Sequence, residues 1–316
     1  MSSYNGPRRR FLRTALAGAG LLSLAHIAPR QALTAPKRPL RVTPLTPAIA
    51  LIDGAGGNVL LAATGAELLL VDGGLAARSR ELLRLLAAEH PGARIRAAFN
   101  THWHWDHTGS NEALRAQGVD IVAHENTRLW LGAEVNSVWE GRVYPPSKPA
   151  ALPNQTFFYG SKTMEFGGEA VEYGLLPQAH TDGDIYVFFP QQNVLAAGDV
   201  VTGGSYPVLD YATNGWLGGM VAGLKTLLAK GDANTRIVPG TGGVRTQADL
   251  KSQQDMCFTV LQRIGESYYK GQTWDEFLAS KPTREFDATW GDPALFLRNA
   301  YRGAWEHINE IRRVTR

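Results

Sequence analysis

The sequence predicts an α/β protein in which two similar halves of strands and helices close face to face into one domain. Each half opens with short apolar runs of strand length, bounded by glycine or polar residues. In the first half the runs are 48–52, 58–63 and 66–71, and the helical spacing that follows is 77–90. In the second half the runs are 170–176, 185–189 and 194–197, and the helix is 216–230. This repeated order is typical of layered α/β domains.

The segments between these runs complete the prediction. Residues 94–99 are predicted as a strand that leads into the most polar motif of the chain. Residues 132–154 contain four prolines and little periodicity, so they are predicted as a long loop of the kind that borders binding sites. The other predicted strands are 119–123, 156–159 and 236–239, and the other predicted helices are 111–117, 126–131, 247–269 and 294–311.

Composition and charge exclude several classes of protein. The chain has 316 residues, 44% of them hydrophobic and 19% charged, which is enough apolar material for a sizeable core. A single cysteine excludes an intrachain disulfide and a multi-cysteine metal site. Residues 1–35 contain five arginines and no acid; removing these from the 32 lysines and arginines leaves 27 against 29 acidic residues. The body of the protein therefore has no electrostatic case for binding nucleic acid.

The N-terminus has the pattern of an export signal. Arg8-Arg9 is followed by Phe11-Leu12 and then by an apolar stretch at 14–28, an arrangement that resembles the twin-arginine signal. This stretch is shorter than the roughly 20 residues of a spanning helix. A membrane anchor and a disordered basic tail remain alternatives, and cleavage after Ala28 and cleavage after Ala35 both stay open.

These features predict the organisation and location of the chain. Residues 1–35 are predicted as a twin-arginine export signal, 36–46 as a Pro-, Lys- and Arg-rich linker, and 47–316 as the functional domain with C-terminal helices. We expect the twin-arginine export machinery to deliver the protein to the periplasm. After removal of the signal, no stable membrane insertion is expected.

Four candidate metal ligands lie within six positions at the end of the predicted strand 94–99. They are His102, His104, Asp106 and His107. Side chains two apart on a strand project to the same side, and the next two residues follow as the chain turns towards a helix. Neutral imidazole and carboxylate groups are ligands that zinc prefers. The sequence therefore predicts a zinc site here.

Two later segments supply further candidates. His180 precedes the predicted strand 185–189, and Asp199 follows the next strand along the chain. A carboxylate has two oxygens, so Asp199 could bridge two metal ions. Asp182 and Asp184 come directly after His180; they are open to two interpretations, a turn and support for the histidine.

Taken together, these motifs resemble those of the metallo-β-lactamase superfamily, over about residues 45–245. The resemblance depends on Val71-Asp72-Gly73, the motif 102–107, His180-Thr181 and Gly198-Asp199. It implies a four-layer αββα sandwich with a metal site at one edge of its sheets. It also implies a first zinc on His102, His104 and His180, a second zinc on Asp106, His107 and another histidine, Asp199 as the bridge, and Asp72 as a structural acid.

The chain departs from the family pattern at the last ligand. The family usually ends its site with Pro-Gly-His-Gly, whereas this chain has Pro239-Gly240-Thr241-Gly242. A hydroxyl is a poor zinc ligand, so we expect one tightly bound Zn²⁺ and a weakened second position. His307 on the last helix is a candidate substitute, with a core or surface position as the alternative.

The predicted chemistry is hydrolysis by metal-activated water. Zinc lowers the pKa of bound water from about 15.7 to roughly 7, which supplies hydroxide at neutral pH. Asp106 is the predicted catalytic residue, because it can orient this water or accept its proton. Tyr206, Asn214 and Trp216 are candidate donors to the leaving group, and Trp139 and Tyr144 are candidates to line the pocket.

Three functions follow from these observations. The leading hypothesis is an exported zinc hydrolase that opens a small-molecule cyclic amide of the β-lactam kind, a lactone or an ester. The second is a glyoxalase II-like hydrolase of thioesters or sulfur compounds; Cys257 is predicted to be buried, so any thiol would come from the substrate. The third is a non-catalytic metal-binding accessory protein, motivated by Thr241.

Overall fold

The structure is a computed structural model that describes residues 38–314, with the side chains of 306 and 308–314 left out. The predicted export signal 1–35 lies outside the described residues. The described residues form one compact unit. Within the described residues, no helix is both long and apolar enough to cross a membrane.

Two large sheets and a small hairpin contain the strands. The seven-stranded sheet contains, in spatial order, β1 (Arg41–Pro44), β2 (Ile49–Asp53), β3 (Val59–Ala63), β4 (Glu67–Val71), β5 (Arg94–Phe99), β6 (Asp120–His124) and β9 (Gln155–Phe157). The hairpin is β7 (Val135–Ser137) with β8 (Arg142–Tyr144). The five-stranded sheet contains β10 (Ser161–Phe166), β11 (Glu169–Leu175), β12 (Ile185–Phe189), β13 (Val194–Gly198) and β14 (Arg236–Pro239).

The helices follow the strands in two groups. The first group is α1 (Ser79–Glu89), α2 (Trp105–Thr108), α3 (Asn111–Arg115) and α4 (Glu125–Gly132). The second group is α5 (Leu217–Leu228), α6 (Gln247–Tyr269), α7 (Trp274–Ala279), α8 (Asp287–Trp290) and α9 (Ala294–Val314). Short 3₁₀ turns are at Ala76–Arg78, Pro149–Ala151 and Tyr211–Thr213.

Three apolar cores separate four layers. Successive side chains of a strand point to opposite faces, so Leu69 packs between the sheets while Leu70 packs outward against Leu82 of α1. On the other side, Leu195 of β13 packs outward against α5, α6 and α9. The predicted αββα order of layers is confirmed.

Two predicted irregular segments contain short strands. Within the predicted linker 36–46, β1 pairs with β2 in antiparallel register. Arginine and proline, which indicated a linker, are also residues that protect an exposed sheet edge. The predicted loop 132–154 contains the β7–β8 hairpin and a 3₁₀ turn, which sequence periodicity misses because each strand has only three residues.

The strand order places several loop ends at the same edge of the molecule. β4 and β5 are parallel neighbours, and β13 and β14 are also parallel neighbours, so the carboxyl ends within each pair coincide. The two sheets join at this edge, where Asn58 donates its backbone N–H to the carbonyl of Gly240 at 2.7 Å. The predicted ligands follow these strand ends.

Candidate metal centre

Four predicted ligands converge at this edge. The ligand atoms of His102, His104, His180 and Asp199 all lie within 4.8 Å of one another. Nε2 of His180 is 3.0 Å from Nδ1 of His104. Oδ2 of Asp199 is 3.8 Å from Nε2 of His102 and 3.7 Å from Nε2 of His180. Residues almost 100 positions apart in the chain therefore form one cluster of three imidazoles and a carboxylate.

Asp106 and His107 lie on the other side of Asp199. Oδ1 of Asp199 is 3.6 Å from Nε2 of His107, and Oδ2 of Asp106 is 3.8 Å from the same nitrogen. The two oxygens of Asp199 thus face different groups of histidines. This arrangement suits a carboxylate that bridges two positions.

The residues fit a divalent cation. Nε2 of His102 and Nε2 of His107 are buried and have no hydrogen-bond partner among the described residues, which is costly unless another group satisfies them. Burial, together with the neighbouring histidines, holds the pKa of His102 well below its usual value, so its imidazole is neutral and has a lone pair to give. Neutral imidazoles beside carboxylates are a donor set that suits zinc.

The negative charges around His107 also favour the binding of a cation. Burial alone would lower the pKa of His107, but the carboxylates of Asp72 and Asp199 outweigh it and raise that pKa to about 10. Asp106 adds a third negative charge nearby. A group of three carboxylates around one buried imidazole has an excess of negative charge that a bound metal ion would balance.

Asp72 braces the ligand loop, as the resemblance implies. Its carboxylate accepts hydrogen bonds from the backbone N–H and the hydroxyl of Thr101, both at 2.8 Å, and lies 2.9 Å from Nδ1 of His107. It follows β4 directly, and its backbone is left-handed, with φ of 63°. Asp72 therefore orients His107 and fixes the chain just before His102.

Asp210 is a functional residue that sequence reasoning missed. Its fully buried carboxylate lies 3.0 Å from Nε2 of His104 and accepts from the hydroxyl of Thr213 at 2.7 Å and from the indole of Trp139 at 2.8 Å. Burial would raise its pKa, but the hydrogen bonds and charge of His104 outweigh burial and lower it to about 2. A charged carboxylate on the far nitrogen holds Nδ1 of His104 towards the cluster.

The two acids after His180 have different roles. Asp184 accepts from the backbone N–H groups of His180 and Thr181 and from the hydroxyl of Thr181, so it fixes the backbone that carries the ligand. Asp182 accepts from Trp130 and Asn214 instead. The interpretation as support for the histidine therefore applies to Asp184.

The segment with Thr241 lies beside the second position. A Cβ added to Gly240 would overlap Oδ1 of Asp199 and come within 2.9 Å of Cε1 of His107, so only glycine fits here. Thr241, the next residue, is exposed. The ring of His307 stacks on Trp216, with ring centroids 3.9 Å apart.

The other sequence candidates are placed as follows. The hydroxyl of Tyr206 donates to Asp287 at 2.8 Å within the C-terminal helices. Asn214 donates to Asp182, and Trp216 precedes α5 and stacks on His307. Tyr144, in contrast, lies on the hairpin and accepts from the indole of Trp105 at 3.0 Å.

An αββα sandwich with imidazoles and carboxylates gathered at the joined sheet edges is the arrangement that the sequence resemblance implied. The sequence model of the metallo-beta-lactamase superfamily matches residues 52–254, more than half of the chain. The chain therefore belongs to the metallo-β-lactamase superfamily.

Individual relatives agree with this assignment. The chain is 34% identical over 114 residues to a hydroxyacylglutathione hydrolase of Thermosynechococcus vestitus. The matched residues make up 36% of this chain and 37% of that protein. It is 41% identical over 150 residues to an atrochrysone carboxyl ACP thioesterase of Aspergillus fumigatus, 47% of this chain and 41% of that protein. These matches span about two fifths of the relatives' length.

A solved structure shares the fold. A metallo-beta-lactamase from Pontibacter korlensis superposes with a TM-score of 0.55 at 22% identity, covering 68% of this chain and 99% of that chain.

Proposed function

We propose that this protein is an exported, zinc-dependent hydrolase of small-molecule acyl thioesters and esters. The observation that carries the proposal is the position of Asp199, whose oxygens face His102 and His180 on one side and His107 on the other. With an aspartate in the bridging position, this chain resembles the glyoxalase II-like thioesterases among the members of the superfamily. Two relatives, a hydroxyacylglutathione hydrolase and an atrochrysone carboxyl ACP thioesterase, support the same class.

The residues divide the chemistry among them. His102, His104, His180 and Asp199 would hold the first zinc, and Asp106 and His107 would share the second position with Asp199. A bound zinc ion supplies Lewis acidity that brings the pKa of water to roughly 7. The carboxylate of Asp106 is about one third exposed and lies beside His107, where it can accept a proton from the attacking water and pass it to the leaving group.

The sulfur of the reaction comes from the substrate in this proposal. Cys257 is fully buried within α6, and burial raises the pKa of its thiol far above the usual value. A buried neutral thiol is not a nucleophile. In this proposal the nucleophile is therefore water, which Asp106 and the metal-binding residues activate for attack on the acyl carbon.

The test compares three substrates with the zinc-loaded mature protein: a hydroxyacyl thioester of glutathione, a p-nitrophenyl ester and a chromogenic β-lactam. We expect kcat/KM for the thioester to exceed that for the β-lactam by at least about a hundredfold. Preferred hydrolysis of the β-lactam would favour the cyclic amide hypothesis, which the cluster of three histidines supports. No hydrolysis of any of the three would contradict the proposal.

We predict that the protein holds nearer one zinc than two. Asp106, His107 and Asp199 remain at the second position, but Asp199 is shared with the first. Even the loss of a group that only hydrogen-bonds to a metal ligand costs about 10–100-fold in metal affinity. After dialysis against a weak chelator, mass spectrometry or atomic absorption should give about one zinc per chain. Thr241→His should raise this towards two, because the histidine would follow Gly240, which contacts Asp199. Thr241→Ser is the matched control, and two tightly bound ions in the wild type would contradict the prediction.

We also predict that the arginine pair at the N-terminus directs export. Replacing Arg8 and Arg9 with lysine keeps the charge but removes the pair that the twin-arginine machinery reads. In fractionated bacterial cells, the variant should remain in the cytoplasm while the wild type reaches the periplasm. The control replaces Arg10 and Arg13 with lysine and should still be exported. Unchanged periplasmic recovery of the Arg8 and Arg9 variant would overturn the prediction.

A further inference from the structure

The β7–β8 hairpin forms a wall beside the ligand His104. Trp139 in its turn donates to Asp210, which holds His104. At its other end, the ring of Tyr144 packs edge-on against the ring of Trp103, with centroids 5.4 Å apart, and Trp103 packs against His104 at 4.5 Å. Contacts at both ends therefore fix the hairpin next to the metal centre.

Arg142 of this hairpin is held over two aromatic rings. Its guanidinium carbon is 4.5 Å from the ring centroid of Tyr144 and 5.2 Å from that of Trp105. The indole of Trp105 donates to the hydroxyl of Tyr144 at 3.0 Å, which fixes the two rings relative to each other. A guanidinium over such rings keeps its charge and its N–H donors while its position is fixed.

No carboxylate of the described residues lies within 4 Å of the Arg142 guanidinium, whereas Arg263, which also lies near an aromatic ring, pairs with Glu285 at 2.5 Å. Burial and the carboxylate of Glu140, in the same hairpin, raise the pKa of Tyr144 to about 12. The side chain of Arg142 is exposed. Its donors can therefore bind an anion from solution.

The cation lies at the rim of the metal centre. Trp105 stands in the chain between the ligand His104 and the proposed catalytic Asp106, and its side chain is 43% exposed. Val138 and Val143 of the hairpin are also more than half exposed. A molecule that reaches the metal ligands past this rim meets an apolar surface with one fixed positive charge.

We propose that Arg142 is a specificity-determining residue that binds an anionic group of the substrate, so the preferred thioesters or esters carry a carboxylate or a phosphate away from the scissile bond. This inference rests on the proposed hydrolase function and names its substrate class. In such a substrate, an apolar segment between the anionic group and the acyl carbon would pack against Trp105. Charge-assisted hydrogen bonds to a preorganised guanidinium contribute to binding before and during the reaction alike, so the effect falls on KM.

The experiment uses the full zinc-loaded enzyme and three thioesters of one thiol, whose acyl chains end in a carboxylate, a phosphate monoester or the neutral methyl ester. For Arg142→Gln, we expect KM for the preferred anionic substrate to rise about tenfold, with kcat within about twofold and the neutral substrate unchanged. Arg142→Lys should recover part of the loss. The control Arg84→Gln makes the same charge change on exposed α1 and should leave all three substrates unchanged.

Two results would overturn the inference. An equal loss for anionic and neutral substrates would make Arg142 a support of the hairpin only, and an unchanged KM for every substrate would exclude any role in binding. If the wild type hydrolyses none of the thioesters, the proposed function fails by itself. Calorimetric binding of the carboxylate-ended acid product to wild type and Arg142→Gln then decides the anion site without turnover, because equal affinity contradicts it.

Discussion

Alanine in place of His102 should remove the tightly bound zinc and lower the hydrolytic rate by about a thousandfold or more. Within the part of the chain that the structure describes, Nε2 of His102 is buried without a hydrogen-bond partner, and it lies 3.8 Å from Oδ2 of Asp199. His104 and His180 already belong to the cluster, and Nε2 of His107 faces the other oxygen of Asp199, so we expect no imidazole to replace the lost ligand. Zinc content per chain and kcat/KM, measured on the same sample, check the expectation.

His104→Ala and His180→Ala should behave like His102→Ala, because each contributes one imidazole to the same cluster. The matched control is His90→Ala, a histidine at the end of α1, which should keep both the metal and the activity. Circular dichroism and thermal unfolding separate metal loss from unfolding. A variant that lacks all three histidines and still keeps full zinc and full activity would show that the site is elsewhere.

Asp210→Asn should weaken zinc binding by about 10–100-fold while the fold is kept. Three donors converge on this carboxylate, from His104, Thr213 and Trp139, and an amide offers only one acceptor oxygen and no charge. The imidazole of His104 then loses the partner that fixes its orientation and increases its basicity. Competition with a chromogenic chelator gives the zinc affinity directly.

The chain offers a matched control and a graded variant for this prediction. Asp182→Asn makes the same change near His180, but Asp182 holds Trp130 and Asn214, so zinc affinity should be unchanged. Trp139→Phe removes one donor to Asp210 and should give a smaller loss than Asp210→Asn. If Asp210→Asn and Asp182→Asn bind zinc as tightly as the wild type, Asp210 does not position His104.

Regular elements with strong periodicity could be predicted from the sequence. The strands Arg94–Phe99, Ile185–Phe189 and Arg236–Pro239 have the predicted bounds, and so does the helix Gln247–Tyr269. The strand Ile185–Phe189 is buried throughout, and the other two strands become buried towards their carboxyl ends, so their apolar runs mark them as parts of a layered core. The helix begins with a capping box at Thr246 and Asp249, a local signal that the sequence carries.

Elements stabilised by distant contacts could not be predicted. The three-residue strands of the hairpin are too short for a period, and their position depends on Trp139 reaching Asp210, 71 residues further along the chain. β10 (Ser161–Phe166) is mostly exposed and pairs with β11 through its backbone, so it has no apolar run to reveal it.

The metal ligands could be predicted from the sequence more readily than the residues that hold them in place. His102, His104, Asp106 and His107 are visible because they are close in sequence and because their residue types are unusual together. Asp210 supports His104 from 106 residues away and lies in no motif, so only the folded chain connects them. The structural role of Asp72 could be predicted through the resemblance, although its three hydrogen bonds could not.

Anomalous scattering at the zinc edge from crystals of the mature protein tests the central claim most directly, because it locates the metal. We predict a strong peak about 2.0–2.1 Å from Nε2 of His102, Nδ1 of His104 and Nε2 of His180, with an oxygen of Asp199 beside it. A weaker peak is expected between Asp106, His107 and Asp199. A zinc-loaded, active crystal with no peak among the three histidines would contradict the assignment of this cluster as the metal centre.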